Sequence, residues 1–531
     1  MTATLRKCSA LLTLVALTAS ARADDIKILT NHLGYELDAP KHAILLAHDG
    51  DDITAFRVLT YPANTEVLTG HPEKVGPCDQ WKNWVFWTAD ASPLHTEGTY
   101  TLEVTTNHGR GGTIRSFPFL IQSGLLERNT LSNVIYYFKG QRASGLLDKA
   151  DHNLKFDGQT TTADVHGGWY DASGDCSKYL SHLSYANFMN PQQTPLVTWT
   201  LLAGRDRIPP QSKWLDERIV DEALHGADFL VRMQAPEGFF YVTVFDKWSK
   251  DEHQREICSY ATQKGIKSAD YQAGFRQGGG MAIAALARAS GAHRDGEFTR
   301  EQYLAAAIRG FELLEARNAE FLDDHEDNLI DDYCALLAAS ELFARTGDAR
   351  WRDAGAARAR AIVDQQDASG FWWCDRARTR SFFHASDAGL PYLALMRFLD
   401  CEPEPALVVQ IRATLPRGLR FELAITQSVA NPLGYPRQYV ALPGRERATQ
   451  FFVPHDNESG YWWQGENARL ASLATAARAA QSLHLADAAF DAALAEYAQR
   501  ALDWLFGANP FDTCMLQGWG HNPPRYEPGF W

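Results

Sequence analysis

Two aspartates lie four residues apart in a glycine-rich stretch of the chain, Gly167-Gly168-Trp169-Tyr170-Asp171-Ala172-Ser173-Gly174-Asp175. Inverting glycoside hydrolysis needs one carboxylate that holds and deprotonates a water, and a carboxylic acid opposite it that protonates the leaving oxygen. Asp171 and Asp175 could share the first task, and the rings of Trp169 and Tyr170 suit the apolar face of a sugar. The same residues would also form an Asx-rich turn that opens a helix, so the stretch alone leaves both interpretations open.

The composition narrows the class of partner. The chain has 531 residues, 45% of them hydrophobic and 11% aromatic, and a formal net charge of -14. This length predicts two or more domains and allows a large core. The negative charge argues against nucleic acid, an anionic membrane surface or a polyanionic sugar as partner. A neutral or cationic oligosaccharide or polysaccharide is compatible with it.

The N-terminus has the pattern of a secretory signal. Arg6 and Lys7 precede an apolar run over residues 10–17, and Ala21-Arg22-Ala23 forms an A-x-A cleavage site. We therefore predict a signal peptide over residues 1–23 and a periplasmic or secreted mature protein. The apolar run is much shorter than the roughly 20 residues of a membrane-spanning helix, so no membrane partner is expected after cleavage.

No motif in the chain predicts a cofactor or a metal ion. The seven cysteines that follow the signal segment are scattered, with no C-x-x-C pair, which disfavours both a disulfide framework and a zinc site. The acidic run Asp323-Asp324-His325-Glu326-Asp327 lacks the glycine-spaced ligands of a calcium loop, which favours a solvated turn. Gly278-Gly279-Gly280 is not followed by Lys and Ser or Thr, so it is not a phosphate-binding loop.

The hydrophobic pattern divides the chain into two parts. Short strand-like segments separated by turn residues predict an antiparallel β-sandwich over residues 24–124. From about residue 126 the apolar residues follow a helical period, and alanine-rich faces suggest closely packed helical hairpins in a toroid. Two long loops, 236–277 and 422–464, are expected to carry function. Helices are predicted near 127–145, 178–203, 217–234, 279–291, 299–316, 328–346, 350–366, 387–400, 404–421, 465–482 and 486–506.

Four segments in order resemble glycoside hydrolase family 9. The segment Asn31-His32-Leu33-Gly34-Tyr35 resembles the opening strand of the immunoglobulin-like domain that precedes many of its catalytic domains. The stretch from Gly167 to Asp171, with Lys178-Tyr179, resembles the family's turn for the nucleophilic water. Trp463-Gln464-Gly465-Glu466 and the late segment Gly507-Ala508-Asn509-Pro510 with Gln517-Gly518-Trp519-Gly520 complete the set. The chain is thereby identified as a member of this family.

The resemblance implies an inverting hydrolase of β-1,4-linked glucans, with an (α/α)6 barrel over residues 125–531 behind the β-sandwich. Asp175 matches the family's catalytic base, and Asp171 matches the aspartate that helps hold the water. The family's two aspartates are usually three residues apart, whereas Ser173 makes the spacing four here. That form resembles the branch that removes glucosamine from chitosan oligosaccharides. Cellulose-type glucan and chitosan-type glucosamine oligosaccharides are therefore both candidate substrates.

The general acid is the second departure from the family. In the family it is a glutamate that follows the Asn-Pro and Gly-x-Gly segments, just before the last helix. Since the sequence ends at Trp531 before such a residue, we expect a chain truncated relative to its relatives, without that acid and that helix. The alternative function is a catalytically impaired, sugar-binding remnant of the family. A polysaccharide lyase on a similar barrel is disfavoured by the acidic composition.

Other residues are candidates for sugar contacts. Trp372 and Trp463 each belong to a tryptophan pair in a loop, where one ring would stack on sugar and the other would pack in the core. His384 could lie at the groove rim, or its segment could simply cap a helix through Ser386 or Asp387. Glu466 could bind sugar hydroxyls or an amine, or could favour the start of a helix. Glu458 and Glu466 both precede the Asn-Pro segment, which argues against either as the acid.

Overall fold

A computed structural model describes residues 26–107, 112–172, 174–183, 185–209, 212–262, 264–452 and 465–524. The predicted signal peptide, Ser173, Glu458 and Trp463 lie outside the described residues. No helix in the described part of the chain is long and apolar enough to cross a membrane.

The N-terminal part is built from ten strands in two sheets. One sheet has the order β1-β3-β7-β6 and the other β2-β10-β8-β4-β5, with β9 also paired to β8. All pairs are antiparallel except β2 with β10, which is parallel. The strands are β1 Lys27–Leu29, β2 Tyr35–Glu36, β3 His42–Ala47, β4 Ile53–Thr60, β5 Glu66–Gly70, β6 Glu73–Pro77, β7 Val85–Asp90, β8 Gly98–Thr106, β9 Gly112–Arg115 and β10 Phe119–Gln122.

Alternating side chains explain why these strands form a sandwich. In β4, Phe56 and Val58 point into the core, and the intervening Arg57 points outward to Glu103 on β8. Val58 pairs with Leu102 in the β4–β8 register, so both strands bury the same face. The predicted β-sandwich is confirmed. The sequence did not reveal β5 and β6, whose residues are mostly exposed and polar and so lack a hydrophobic period.

The remainder of the described chain is mainly helical, with thirteen α-helices. They are α1 Leu125–Asn129, α2 Leu131–Gln141, α3 Gly145–Asp151, α4 Thr194–Arg205, α5 Lys213–Arg232, α6 Gly280–Ala289, α7 Arg300–Arg317, α8 Leu329–Thr346, α9 Ala349–Asp364, α10 Leu390–Leu399, α11 Pro405–Gln427, α12 Glu466–Ser482 and α13 Ala488–Leu505.

Local signals set several of the helix ends. Thr299 caps α7 in a capping box with Gln302, and Asn328 caps α8 by accepting from the Ile330 N–H at 2.8 Å. Helix α8 ends at Gly347, whose φ of 67° is the left-handed conformation that glycine adopts readily.

The prediction of one helix over 178–203 is wrong in its first half. Helix α4 begins only at Thr194, while Lys178–Tyr179 form a short strand, β13. Pro191 lies between the two and disfavours helical backbone at the residue before it. The residues between β13 and α4 therefore form a loop, and this loop follows the paired aspartates.

The helices form two concentric layers. Helices α4, α6, α8, α10 and α12 contact one another in succession, and α5, α7, α9, α11 and α13 pack outside them. The inner helices α6 and α8 are buried almost throughout, since small residues let them approach closely. A Cβ on Gly280 of α6 would lie 2.8 Å from the Cβ of Cys334 on α8, so only glycine fits there. The helical toroid expected from the sequence is confirmed.

The loop over 236–277 is ordered by β-strands. It contains β14 Phe240–Tyr241, β15 Thr243–Phe245, β16 Glu256–Ala261, β17 Ile266–Ser268 and β18 Gln272–Ala273. Strand β13, which follows the paired aspartates, pairs with β15, and β15 pairs with β16. This sheet therefore brings the long loop beside the Asp171–Asp175 turn. Two further short hairpins, β11 Leu154–Lys155 with β12 Thr162–Ala163 and β19 Gln438–Val440 with β20 Ala448–Gln450, complete the strands.

Buried polar contacts join the β-sandwich to the last described helix. The side-chain amide of Asn31 donates to Asp503 of α13 at 2.9 Å, while its oxygen accepts from the Leu33 N–H at 3.0 Å. Both Asn31 and Asp503 are 2% exposed. The Asn31 amide therefore donates to one oxygen of a carboxylate that is almost completely buried.

Replacing Asn31 by alanine should lower the free energy of unfolding by about 2 to 3 kcal/mol, because a buried carboxylate loses a donor and two backbone N–H groups lose an acceptor. Urea denaturation of N31A beside N153A measures this. Asn153 is exposed, so its variant should change stability by less than about 1 kcal/mol. Equal, small losses in the two variants would contradict this role for Asn31.

Candidate active site

Two glycines set the approach to the paired aspartates. Gly167 and Gly168 have φ values of 80° and 72°, the left-handed region that glycine occupies without strain. A Cβ on Gly168 would lie 2.7 Å from the ring of Phe229, so the backbone passes directly over helix α5. The Gly167 N–H donates to Asp148 at 2.8 Å. These contacts fix where the following turn begins.

The turn itself brings the two carboxylates together. The Asp175 N–H donates to the carbonyl of Ala172 at 3.1 Å, and the Asp171 N–H donates to the carbonyl of Ser177 at 3.1 Å. One ligand atom each from Asp171, Asp175 and His182 lies within 4.8 Å of the other two. A water molecule between the carboxylates could therefore donate to both.

Three donors orient the carboxylate of Asp175. One oxygen accepts from the Ser177 N–H at 2.8 Å. The other accepts from the hydroxyl of Tyr179 at 2.7 Å and from the indole N–H of Trp248 at 3.1 Å. Hydrogen bonds of this kind hold a carboxylate in one orientation. The position of Asp175 beside Asp171 is thus set by the fold.

Trp248 belongs to the strained part of the long loop. Its φ is 58°, in the left-handed region, and its side chain is 38% exposed. The buried carboxylate of Asp246 accepts from the Trp248 N–H at 3.0 Å and from the Ser177 hydroxyl at 3.2 Å. Asp246 therefore ties the loop that carries Trp248 to the loop that carries Asp175. Strain held by surrounding contacts is frequent at functional sites.

The pKa of Asp171 is raised by its surroundings. Burial, followed by the nearby charge of Asp175, raises the pKa of Asp171 to about 7. Burial also lowers the pKa of His182 to about 4, against the opposing effect of Asp175. His182 lies 4.0 Å from Asp171 and is neutral near pH 7, so it does not offset the negative charge. Asp171 can therefore gain or lose a proton close to neutral pH.

A buried cluster of charged side chains, Asp151, Lys178 and Arg255, packs against the Asp171–Asp175 turn. Lys178 lies 2.7 Å from Asp151 and donates to the carbonyls of Val165 and Gly167 at 2.6 and 2.9 Å. Arg255, directly before β16, binds both oxygens of Asp151, at 2.6 and 3.0 Å, and donates to the carbonyl of Cys176 at 2.9 Å. The three charged side chains are at most 2% exposed. Both sides of the turn are therefore hydrogen-bonded to one charged centre.

Sequence reasoning did not identify Ser177, Tyr179, His182 and Trp248 as parts of this site. Tyr179 had one signal, since it follows the turn directly within Lys178-Tyr179. Trp248 had only its place in a long loop. Its contact with Asp175 arises from the β13–β15 pairing, which joins residues far apart in the chain.

Two predicted sugar contacts, Trp169 and Tyr170, lie in packed surroundings. Trp169 is 4% exposed and donates from its indole to Glu222 at 2.7 Å. The Tyr170 hydroxyl donates to the carbonyl of Ser144 at 2.8 Å, and burial raises the pKa of Tyr170 to about 12. In this structure both rings serve packing, and their contact with a sugar stays a prediction.

Trp372 and His384 lie together around a small cavity of about 30 Å³. The indole of Trp372 donates to the carbonyl of Ile362 at 3.0 Å. His384 is fully buried and accepts on Nδ1 from the Ser386 and Asp387 N–H groups, at 3.1 and 2.9 Å. Burial lowers the pKa of His384 to about 3. The structure thus places His384 beneath the surface and not at a rim.

Glu466 begins helix α12, as the capping interpretation expects. It forms an ion pair with Arg469 at 2.7 Å and accepts from the hydroxyl of Tyr435. Its side chain is 19% exposed. A sugar that contacts Glu466 would share it with these two partners, and that contact stays a prediction.

An acidic run and a larger cavity lie apart from the Asp171–Asp175 turn. The acidic run over 323–327 is a partly exposed turn, in which Arg276 binds Asp324 and Arg358 binds Asp327. A cavity of about 300 Å³ lies between the β-sandwich and the loop before residue 452, lined by Pro77, Asp79 and Arg437 among others. Asp171 and Asp175 do not line it. The chemistry predicted from the sequence therefore belongs to the Asp171–Asp175 turn.

Replacing Lys178 by methionine should lower the free energy of unfolding by about 3 kcal/mol, because Asp151 loses one of two cations and two buried carbonyls lose their donor. Thermal and urea unfolding of K178M measure the change, with K149M as the control at an exposed lysine. A K178M protein as stable as K149M would show that the cluster does not support the turn.

The raised pKa of Asp171 should make stability depend on pH. Because folding raises this pKa from 3.8 to about 7, the ionised carboxylate opposes folding, and the penalty develops between pH 4 and pH 7. The D171N variant should therefore gain stability over the unmodified protein as pH rises, by about 2 to 4 kcal/mol between pH 4 and pH 8. Urea denaturation at several pH values tests this. The D353N variant, at a 74% exposed aspartate, should show no such trend, and a D171N difference that is constant with pH would contradict the assignment.

Comparisons with known proteins agree on the family and the fold. The sequence model of glycosyl hydrolase family 9 matches residues 128–527, and that of the cellulase N-terminal ig-like domain matches residues 23–108. A search of the curated proteins gives no match.

Several solved structures share the fold. A metagenome-derived glycoside hydrolase family 9 endoglucanase is 19% identical with a TM-score of 0.64, over 94% of this chain and 86% of its own. A family 9 protein of Bacteroides ovatus is 18% identical with a TM-score of 0.59, over 94% and 87%. The family 9 endoglucanase J30 is 18% identical with a TM-score of 0.60, over 92% and 85%. Since the family model covers well over half of the sequence, the chain belongs to glycosyl hydrolase family 9 and is a glycosyl hydrolase with an immunoglobulin-like domain before its helical domain.

Proposed function

We propose that this protein cleaves β-1,4 glycosidic bonds of glucan or glucosamine oligosaccharides with inversion, in the periplasm or outside the cell. The observation that carries the proposal is the pair of carboxylates on one turn, with Asp175 oriented by three donors and Asp171 beside it. In this proposal Asp175 is the catalytic base and Asp171 holds the same water.

The geometry suggests how the water is activated. A water between the two carboxylates donates one hydrogen bond to each, which points its lone pair away from the turn and toward the sugar. As the water oxygen bonds to the anomeric carbon, Asp175 takes its proton and the bond to the leaving oxygen breaks. Inverting hydrolysis also requires an acid about 6.5–9.5 Å from the base to protonate the leaving oxygen, a role that is assigned here to none of the described residues. Attack opposite the leaving group inverts the anomeric centre.

Asp175 suits the base and Asp171 the positioning group because their partners differ. Every donor to Asp175 is a fixed group of the fold, namely the Ser177 backbone, Tyr179 and Trp248. Asp171 has a pKa of about 7, so near neutral pH it is ionised in part of the population and can then accept the second hydrogen bond of the water. Two neighbouring carboxyl groups in different environments commonly take different roles in catalysis.

Two observations favour different sugars. The solved relatives with the same fold include endoglucanases, which supports a β-glucan substrate. The four-residue spacing of the aspartates and the net charge of -14 are compatible with a cationic glucosamine oligosaccharide. Both substrate classes are therefore included in the test.

The D175N variant should lose activity by about 10²- to 10⁴-fold, because the water keeps its proton in the transition state. Initial rates on cellopentaose and on the glucosamine pentasaccharide measure this, with D353N as the control at an exposed aspartate. Proton NMR at early times should show the α-anomer as the new reducing end. A β-anomer product, or a D175N rate equal to that of D353N, would contradict the proposal.

An activated substrate separates the enzyme from the sugar-binding alternative. A dinitrophenyl β-glycoside leaves without help from an acid, whereas a sugar leaving group needs it. Hydrolysis of both substrates supports the full inverting mechanism. Hydrolysis of the activated glycoside alone indicates a working base without acid assistance. Calorimetric binding of the pentasaccharide with no hydrolysis of either substrate would establish the sugar-binding remnant instead.

A further inference from the structure

Two histidines and an aspartate meet where the β-sandwich joins the segment that follows helix α13. His32 lies in the loop between β1 and β2, and Asp512 and His521 follow α13. One ligand atom from each lies within 4.8 Å of the other two. The family's catalytic turn does not include any of the three residues.

The distances resemble those around a tetrahedral ion. Nε2 of His32 lies 3.0 Å from one oxygen of Asp512, and Nε2 of His521 lies 3.1 Å from the other. The centroids of the two imidazole rings lie 3.8 Å apart, and their planes are tilted by 37°. Zinc ligands stand about 2.0–2.2 Å from the metal, which separates neighbouring ligand atoms by roughly 3.3 Å in a tetrahedron. The two histidine–aspartate distances are therefore close to the separation of neighbouring ligand atoms around one ion.

His32 is held rigidly in a narrow cradle. Its side chain is 1% exposed, and its backbone N–H donates to the carbonyl of Phe506 at 2.7 Å. A Cβ on Gly507 or on Gly520 would lie 2.3 or 2.5 Å from atoms of the imidazole ring, so both glycines are in direct contact with it. Nδ1 of His32 has no hydrogen-bond partner among the described residues. The ring therefore loses little freedom when it binds a ligand, which favours affinity.

The other two ligands leave a route to solvent. The His521 ring stacks on Phe117 of the β-sandwich, with centroids 3.8 Å apart and planes 17° apart. Asn522 donates to the carbonyl of Asp512 at 3.0 Å and so fixes the backbone at that residue. The side chains of Asp512 and His521 are 26% and 22% exposed. An ion could enter from this side and keep a water as its fourth ligand.

The donor set selects the kind of ion. Two imidazole nitrogens and one carboxylate suit zinc and neighbouring transition ions, whereas calcium and magnesium prefer oxygen ligands throughout. We propose that His32, Asp512 and His521 form a binding site for a divalent transition ion of the zinc class, which links the immunoglobulin-like domain to the segment after α13. This proposal differs from the expectation, drawn from the sequence motifs, that the chain offers no metal site.

A second cluster of the same residue types provides a matched control. His152, Asp164 and His166 also bring ligand atoms within 4.8 Å of one another, but the side chains of His152 and Asp164 are about half exposed. No buried ring such as His32 organises that cluster. It should therefore bind an ion more weakly than the domain junction does.

The test is a zinc titration of the whole protein after treatment with a chelator, in competition with a chromophoric zinc indicator. The H521Q variant should bind zinc at least about 10-fold more weakly, since an amide replaces a ligand. The H166Q variant should keep the tightest binding step unchanged. Zinc should raise the unfolding temperature of the unmodified protein and of H166Q, but not that of H521Q. If H521Q and the unmodified protein bind zinc within twofold of each other, the proposal fails.

A crystal grown with zinc locates the ion independently of stability. The anomalous signal should lie about 2.0–2.2 Å from atoms of His32, Asp512 and His521. A signal only at Asp171 and Asp175, or only at His152 and His166, would overturn the assignment. This measurement also decides the matter if H521Q proves less stable than the unmodified protein without metal.

Discussion

The buried contact among Asp151, Lys178 and Arg255 is the interaction on which the candidate site depends. Charges removed from water are costly unless each is paired and hydrogen-bonded. Here the ammonium and the guanidinium each bind the carboxylate and also backbone carbonyls of the 165–176 segment. A buried cluster of this kind has few alternative arrangements. It therefore fixes the turn that carries Asp171 and Asp175 more firmly than hydrophobic packing alone would.

The same turn lowers the stability of the folded protein when Asp171 is ionised. Asp171 is buried beside a second carboxylate, and the nearby His182 is neutral near pH 7 because burial lowers its pKa to about 4. Proteins commonly accept such local destabilisation where chemistry requires it. The surrounding structure offsets the cost through the large buried core of inner helices, in which α6 and α8 are almost fully enclosed. The stability of the helical core thus allows the fold to hold Asp171 and Asp175 close together.

The sequence predicted the two domains, most of the helices and the paired aspartates, because each has a local signal in periodicity or in turn residues. It could not predict the hydrogen bond from the Trp248 indole to Asp175, because that contact depends on the pairing of β13 with β15 in the long loop. The aromatic residues show that residue type alone does not tell how a ring is used. Trp169 and Trp372 suit sugar stacking by type, but their indole N–H groups are satisfied by Glu222 and by the Ile362 carbonyl inside the protein. Residue type does not specify burial, and burial decides which rings can meet a ligand.

Buried polar contacts also fix the junction between the β-sandwich and the helical domain. Asn31 and His32, adjacent in sequence, point polar groups into two different contacts, one with Asp503 and one with Asp512. The glycines at 507 and 520 leave room for the His32 ring, so the segment after α13 is shaped around a residue of the β-sandwich. Such shape and charge matching, absent from any single segment, argues that the immunoglobulin-like domain is a structural part of the hydrolase. Disturbing this junction should therefore affect the position of α13 and, through its contact with α12, the inner layer of helices.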